Sequence, residues 1–261
     1  MRPRLLDGSW LPDCEGEPQI ARYGDHVYYD CFDPLWVGLM PNRHYAESNA
    51  WQYLWFVPHD IPGLINLFGG GKPFTSKLDS CLTMSPLIHG TNYVGVVGTI
   101  GQYVHGNQPS HHVMYLYDYA GQPWKTQKYV RRVMDELYRT GPGGLCGNED
   151  MGSLSSWYVF SALGFYPVCP GANRYMIGSP LFEHALIQIK PPYKAGTFEI
   201  IADQVSGSNI YIQSAMLNGK VYNKPWIDHE TIVEGGTLKL KMGAQPNKTW
   251  GITTDLSESG K

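Results

Sequence analysis

The chain has 261 residues, 20 of them Lys or Arg and 23 Asp or Glu, for a formal net charge of −3 with both signs dispersed. That length supports one large domain or two modest ones around a substantial core. The dispersed charge excludes the basic footprint of a nucleic-acid or membrane-surface binder, and no window holds the eighteen or so apolar residues of a membrane span.

The opening MRPRLLDGSWLPDC is basic but has no apolar h-region, so it does not read as a signal peptide. SNAWQYLWFV (48–57) reads as a helix with Ser48 as its N-cap candidate and Pro58 as its terminator. IPGLINLFGG, SKLDSCLTM and SHHVMYLYDYAG are shorter helical candidates. The clearest helix lies in PWKTQKYVRRVMDELYRTGPGG, where Val130, Val133, Met134, Leu137 and Tyr138 form one apolar stripe and Gly141 to Gly144 stop it. SLSSWYVFSALG (153–164) is apolar nearly all round, which predicts burial on every side, with Gly164 as the terminating glycine.

After residue 172 the period changes. HALIQIKPP, TFEIIADQV, NIYIQSAMLNGK and TLKLKMG alternate or run β-branched, which predicts an antiparallel sheet. Asn218-Gly219 suits a type I′ hairpin, and Glu234-Gly235-Gly236 marks a second turn. The reading is therefore mainly α with a β part, divided into residues 1–171 and 172–261 with YPVCPGANRY at the junction.

Five scattered cysteines, with no C-x-x-C pair, indicate neither a zinc site nor a disulfide framework. GGGKP (69–73) is not a phosphate loop, because Pro73 stands where Ser or Thr is needed. The adjacent His111 and His112 would point about a hundred degrees apart on a helix, so a structural role suits at least one of them. The sequon Asn247-Lys248-Thr249 matters only in a eukaryotic secretory context.

Three polar loops remain. NRHYAESNAWQY places Glu47 before an aromatic helix, IGQYVHGNQPSHH gathers Gln102, His105, Asn107, Gln108, His111 and His112, and GNED supplies Asn148, Glu149 and Asp150. Taken singly, each is an ordinary polar helix start. Together with 8 Trp, 18 Tyr and 8 Phe, they fit loops converging on one end of a helical barrel. Carboxylates on separate loops amid aromatic rings are what glycosidic cleavage requires.

These same stretches carry a resemblance. AESNAWQYLWFVPHDIPGLINLFGG, IGQYVHGNQPSHHVMYLYDYAGQPWKTQ, GNEDMGSLSSWYVFSALGFYPVCPG and YMIGSPLF resemble successive blocks of glycoside hydrolase family 92, in the family's order, and the similarity extends into the last strands. The family consists of calcium-dependent, inverting exo-α-mannosidases built from an N-terminal β-sandwich, an (α/α)6 barrel and terminal β-strands. The resemblance implies that this chain holds the second half of the barrel followed by antiparallel C-terminal strands, a fragment lacking the N-terminal half of its polypeptide. It implies a secreted or periplasmic protein acting on mannose-containing glycans, with no nucleic-acid or membrane partner.

Residue by residue, the resemblance makes Glu47 the general acid and Asp150 the general base, with Asn148 beside it where some members carry a second aspartate. Inversion needs those two carboxyls roughly 6.5–9.5 Å apart, and the acid needs a raised pKa, which rings such as Trp51 and Trp55 can supply by desolvation. Trp51, Asn107, Gln108 and His111 are the implied substrate-binding residues, with Glu149 and Gln108 the implied oxygen ligands of a calcium that holds O2 and O3 of mannose. The sequence departs from the family at Gln108, where GNEP usually stands, so charge is lost while an acceptor oxygen is kept. A non-catalytic carbohydrate-binding relic is the competing reading, separated from the first by release of free mannose. A half barrel also predicts apolar faces without partners, at Trp51 to Phe56 and along Trp157 to Leu163.

Overall fold

The structure, a computed structural model, describes residues 2–5, 7–23, 26–37, 45, 47–90 and 95–252. Residues 42–44 and 46 of the first polar loop lie outside the described residues. The N-terminal stretch carries short strands β1 (Ile20–Tyr23), β2 (His26–Tyr29) and β3 (Trp36–Val37). Then come helices α1 (Ala50–Tyr53), α2 (Ile61–Leu67) and α3 (Gly71–Thr83). Three two-residue strands follow: β4 (His89–Gly90), β5 (Thr99–Ile100) and β6 (Tyr103–Val104). Two 3₁₀ turns, Gln108–Ser110 and Val113–Tyr115, lead into α4 (Leu116–Tyr119), α5 (Pro123–Leu137) and α6 (Ser153–Leu163).

A disulfide joins Cys14 to Cys31 and closes the stretch that holds the β1–β2 ribbon. This corrects the expectation of no disulfide framework. Two cysteines 17 residues apart show no spacing signature; the antiparallel ribbon and the Asp13–Phe32 bridge beside the cysteines bring them together.

The cap of α1 is Asn49 and not Ser48. Its side chain accepts from the Trp51 and Gln52 backbone N–H groups, while Gln52 Oε1 accepts from the Asn49 N–H, a reciprocal capping box. The helix stops at Tyr53, ahead of Pro58. Helix α5 follows its period, with Val130, Val133 and Met134 buried. Its second face is buried as well. Gln127 Oε1 accepts from the Ile212 N–H (3.0 Å), and the Arg131 guanidinium donates to Pro180 O and to Ser206 O (3.3 Å). These bonds tie the helical part to the sheet. Helix α6 ends at Gly164, whose φ of 102° permits the left-handed termination. It is not buried all round: Ser155, Ser156 and Val159 form an exposed strip, with Val159 57% exposed.

The β part begins with β7 (Phe165–Tyr166), β8 (Arg174–Ile177), β9 (His184–Ile189) and β10 (Gly196–Asp203). It continues through β11 (Tyr211–Leu217), β12 (Lys220–Val221), β13 (Trp226–Asp228), helix α7 (His229–Val233) and β14 (Gly236–Gly243). The main sheet runs β12-β11-β14-β10-β9. Asn218 and Gly219, with φ of 50° and 77°, turn β11 into β12 as their sequence demands. The other expectation needs correction, because β10 and β14 are parallel. The chain between them runs through three strands and α7, long enough for a crossover that a tight turn cannot make.

Among the described residues two small clusters, Leu11-Phe32-Ala50 and Val37-Val96-Val104, stand beside two large apolar cores. One gathers Trp55, Phe74, Met114, Tyr115, Val130, Val133 and Trp157 between the helices. The other packs Phe198, Ile200, Leu238, Leu240 and Met242 from the buried faces of β10 and β14 with Phe165, Ile177 and Trp250. Fully burying each such side chain contributes roughly 1.5–3 kcal/mol, so each core alone fixes its elements firmly. The helical core positions the loops described next.

Candidate active site

The loop leaving β6 crosses the loop between α5 and α6 backbone to backbone. Glycine is required there: a Cβ on Gly147 would lie 2.7 Å from both Cα and O of Gly106. The crossing directs two neighbouring side chains onto carboxylates of two different loops. Asn107 is buried and its Nδ2 donates to Glu47 Oε2 at 3.4 Å. Gln108 Nε2 donates to Asp150 Oδ2 at 2.6 Å. Glu47 and Asp150, remote in sequence, are thus joined through one pair of amides.

Both carboxylates stand on left-handed backbone, with φ of 63° at Glu47 and 47° at Asp150, and Met151 follows at 60°. Such positions cost non-glycine residues about 1–3 kcal/mol and concentrate at functional sites. Asp150 and Asn148 are exposed at the rim, while Glu47 is partly buried. Glu149 turns the other way. Its Oε1 accepts from the Ser155 N–H (3.0 Å) and its Oε2 from the Ser155 hydroxyl (2.8 Å), capping the start of α6 where Gly152 has no side chain to do so.

This arrangement sits within a sequence that matches the profile of the glycosyl hydrolase family 92 catalytic domain over residues 1–244. The chain belongs to glycosyl hydrolase family 92. It is 36% identical over 250 residues to a protein of Arthroderma benhamiae described as an uncharacterized secreted glycosidase, covering 96% of this chain and 29% of that one. It is similar in structure to a family GH92 α-mannosidase of Bacteroides thetaiotaomicron in complex with mannoimidazole, with a TM-score of 0.80 and 33% identity over 97% of this chain and 31% of that one. An inverting mannosidase of the same family and organism gives a TM-score of 0.72 and 36% identity, covering 97% and 32%. The chain therefore spans about a third of the length of these family 92 relatives.

The other residues expected at the site sit deeper. His111 is 3% exposed; its Nε2–H donates to His105 O (3.1 Å), its Nδ1 lies 3.5 Å from Ser153 Oγ, and its own carbonyl accepts from Trp157 Nε1–H (2.9 Å). Burial pushes its pKa down to about 4. His112 is likewise buried and donates to Trp55 O (2.8 Å), with its pKa lowered by burial. The two side chains make separate bonds, as their adjacency implies. Both brace the loop from within.

His105, which sequence reasoning left without a role, anchors the same loop. The Tyr138 hydroxyl donates to Leu154 O (3.0 Å), so it must accept from His105 Nε2–H (2.7 Å). Nδ1 is then the bare nitrogen and accepts from the Tyr103 hydroxyl (2.6 Å). The imidazole is a fully bonded neutral linker, and burial holds its pKa well below 6.5. The spacing of Tyr103 and His105 in a buried strand end is the signal that could have found it.

Trp51 lies apart from these bonds: its ring faces Lys77, whose Nζ is 3.5 Å from the ring centroid, and it lines a cavity of about 330 Å³ with Phe32, Leu54 and Phe68. Trp55 is a core residue stacked on Phe68.

Among the described residues no group of three or more His, Cys, Asp or Glu side chains is arranged to hold a metal ion. The chemistry of the rim still suits a hard cation, since Asn148, Glu149 and Asp150 all offer oxygen acceptors. Each Glu149 oxygen spends one lone pair on Ser155 and keeps another. Gln108 fits less well as a ligand, because its amide is turned to Asp150.

Proposed function

We propose that this chain contributes the acid and base of a glycoside hydrolase that removes terminal mannose from α-mannosides with inversion. The observation that carries the reading is the Asn107-Gln108 pair, which links Glu47 to Asp150 across loops otherwise remote in sequence. Protonated Glu47 gives its proton to the glycosidic oxygen as the C1–O bond breaks. A water on the opposite ring face forms the new C1–O bond, and its proton passes to Asp150. The products are free mannose and the alcohol, and proton exchange with solvent resets both carboxyls. Such paired acid–base action contributes on the order of 10²–10⁴ in rate per group.

Calcium, held by Glu149 with further oxygens, would supply charge to orient the sugar hydroxyls and favour a flattened ring. The relatives are about three times as long, and on this reading the remaining half of an (α/α)6 barrel and the β-sandwich belong to the working enzyme. Two features support action outside the cytosol: the Cys14–Cys31 disulfide and similarity to a secreted glycosidase.

The deciding experiment is hydrolysis of an aryl α-mannoside followed by NMR of the first product. β-Mannose should appear first, Glu47→Gln and Asp150→Asn should each lose at least about a hundredfold in kcat, and chelator should abolish the rate until calcium is restored. α-Mannose as the first product would refute inversion, and full activity in excess chelator would remove the metal. Mannose binding without turnover would favour the non-catalytic relic.

A further inference from the structure

We propose that Gln108 is the positioning residue of Asp150, a role its amide N–H can fill. The inference rests on the assignment of Asp150 as the base. Gln108 opens a 3₁₀ turn directly before Pro109, whose ring fixes φ and stiffens the segment. The Gly106–Gly147 crossing then leaves the Gln108 amide 2.6 Å from Asp150 Oδ2. Among the described residues no group bonds to Oδ1, and no other side chain bonds to Oδ2.

A carboxylate on left-handed backbone at an exposed rim would otherwise sample several rotamers. One donated hydrogen bond selects one of them and gives the two oxygens different roles. Oδ2 is held, and Oδ1 is left to take the proton from water. A glutamate at residue 108 would have no N–H to donate. Two facing carboxylates at that distance repel, unless a proton or a cation lies between them. The glutamine performs the alignment with no third component. Displacements of about 1 Å in catalytic groups can cost on the order of a hundredfold in rate, and that is the scale of effect a lost tether should have.

The test is a double-mutant cycle on the complete protein with an aryl α-mannoside. Gln108→Met keeps length and removes the donor, while Gln108→Asn keeps the amide but falls one methylene short. Each should lower kcat by about 10- to 100-fold, with KM and the half-saturating calcium concentration unchanged within about threefold. In the Asp150→Asn background, where no base remains to align, Gln108→Met should change the residual kcat by less than about twofold. Thermal unfolding of each variant within about 3 °C of wild type excludes a folding loss. Multiplicative losses, a rise in KM alone, or a weakened calcium response would overturn the proposal and make Gln108 a sugar or metal contact. A wild-type rate in Asp150→Asn alone would instead overturn the base assignment, and the positioning role with it.

Discussion

Acidification should unfold this protein through its buried histidines, and His111 sets the scale. Its imidazole is 3% exposed, and burial lowers its pKa from 6.5 to about 4. Above pH 6.5 the ring is neutral in both folded and unfolded chains, so its stabilising contribution is fully present. Below that, the unfolded chain takes up a proton that the folded interior refuses, and stability falls until the folded ring also titrates near pH 4. At roughly 1.4 kcal/mol per pH unit, the interval from 6.5 to about 4 amounts to about 3 kcal/mol. His105 and His112 are shifted in the same direction by the same cause, so the three histidines together lose more than His111 alone. Urea denaturation at steps between pH 7.5 and 4.5 measures the slope, and His111→Gln isolates the single residue because every carboxylate is common to both proteins. The variant should be less stable at pH 7.5 yet lose stability less steeply, the two curves converging by about 3 kcal/mol over the interval. Parallel curves, or a His111 ring that titrates near 6.5 in the folded state by NMR, would refute the reasoning.

Gly147→Ala should cost roughly 1–3 kcal/mol by overpacking the loop crossing and lower kcat with it, whereas Gly143→Ala, where among the described residues nothing beyond its chain neighbours lies within 4 Å of the new carbon, should do neither. Fully buried Asp118 has no hydrogen-bond partner for either oxygen among the described residues, and burial raises its pKa well above 3.8 against the weaker opposing effect of the nearby Thr126 hydroxyl. The folded chain holds the Asp118 proton more tightly than the unfolded chain does, so stability is lost as pH rises past 3.8; Asp118→Asn should be more stable than wild type at pH 7.5, with the gain vanishing near pH 4 in the same urea series. Cys14→Ser opens a loop whose ends are 17 residues apart in sequence and should cost up to about 3 kcal/mol, read as faster proteolysis between residues 14 and 31 while the helical core stays protected.

The parts of this fold that were legible in the sequence are those where one residue period decides one face. The stripe of α5 and the alternating strands after residue 172 follow from that rule. Strand direction does not, because alternation is identical in parallel and antiparallel pairs; β10 and β14 could be told apart only by the route of the chain between them. The buried second face of α5 was hidden for a related reason: Gln127 and Arg131 look solvent-facing until the sheet supplies acceptors and donors for them. In α6 the two serines at 155 and 156 were the available clue to an exposed strip, outweighed by the apolar composition around them. The three polar loops were visible as loops, but which side chains met was not. Nothing local distinguishes Gln108, which reaches Asp150, from His111, which turns inward; the difference is made by Gly106 lying against Gly147.

Backbone strain separates function from stability in one place where both can be measured. Among the described residues five non-glycine positions have positive φ, and Glu47, Asp150 and Met151 of the site loops are three of them. An L-residue in that region costs roughly 1–2 kcal/mol, and glycine would relieve it at an entropic cost of about 0.5–1 kcal/mol. Asp150→Gly should therefore gain up to about 1.5 kcal/mol while losing the tether to Gln108 and the catalytic rate. Gln204, also left-handed at φ 66° and exposed just past the end of β10, is the control: Gln204→Gly should gain a similar amount with activity intact. Asp150→Ala completes the set, since it removes the carboxylate but keeps the strain, so it should lose the rate without gaining stability. If Asp150→Gly is destabilising while Gln204→Gly is stabilising, the carboxylate at 150 supports the fold, and its left-handed backbone is no sign of a site. The gain in both, with rate lost only at 150, is the result that a carboxylate kept in place for its chemistry requires.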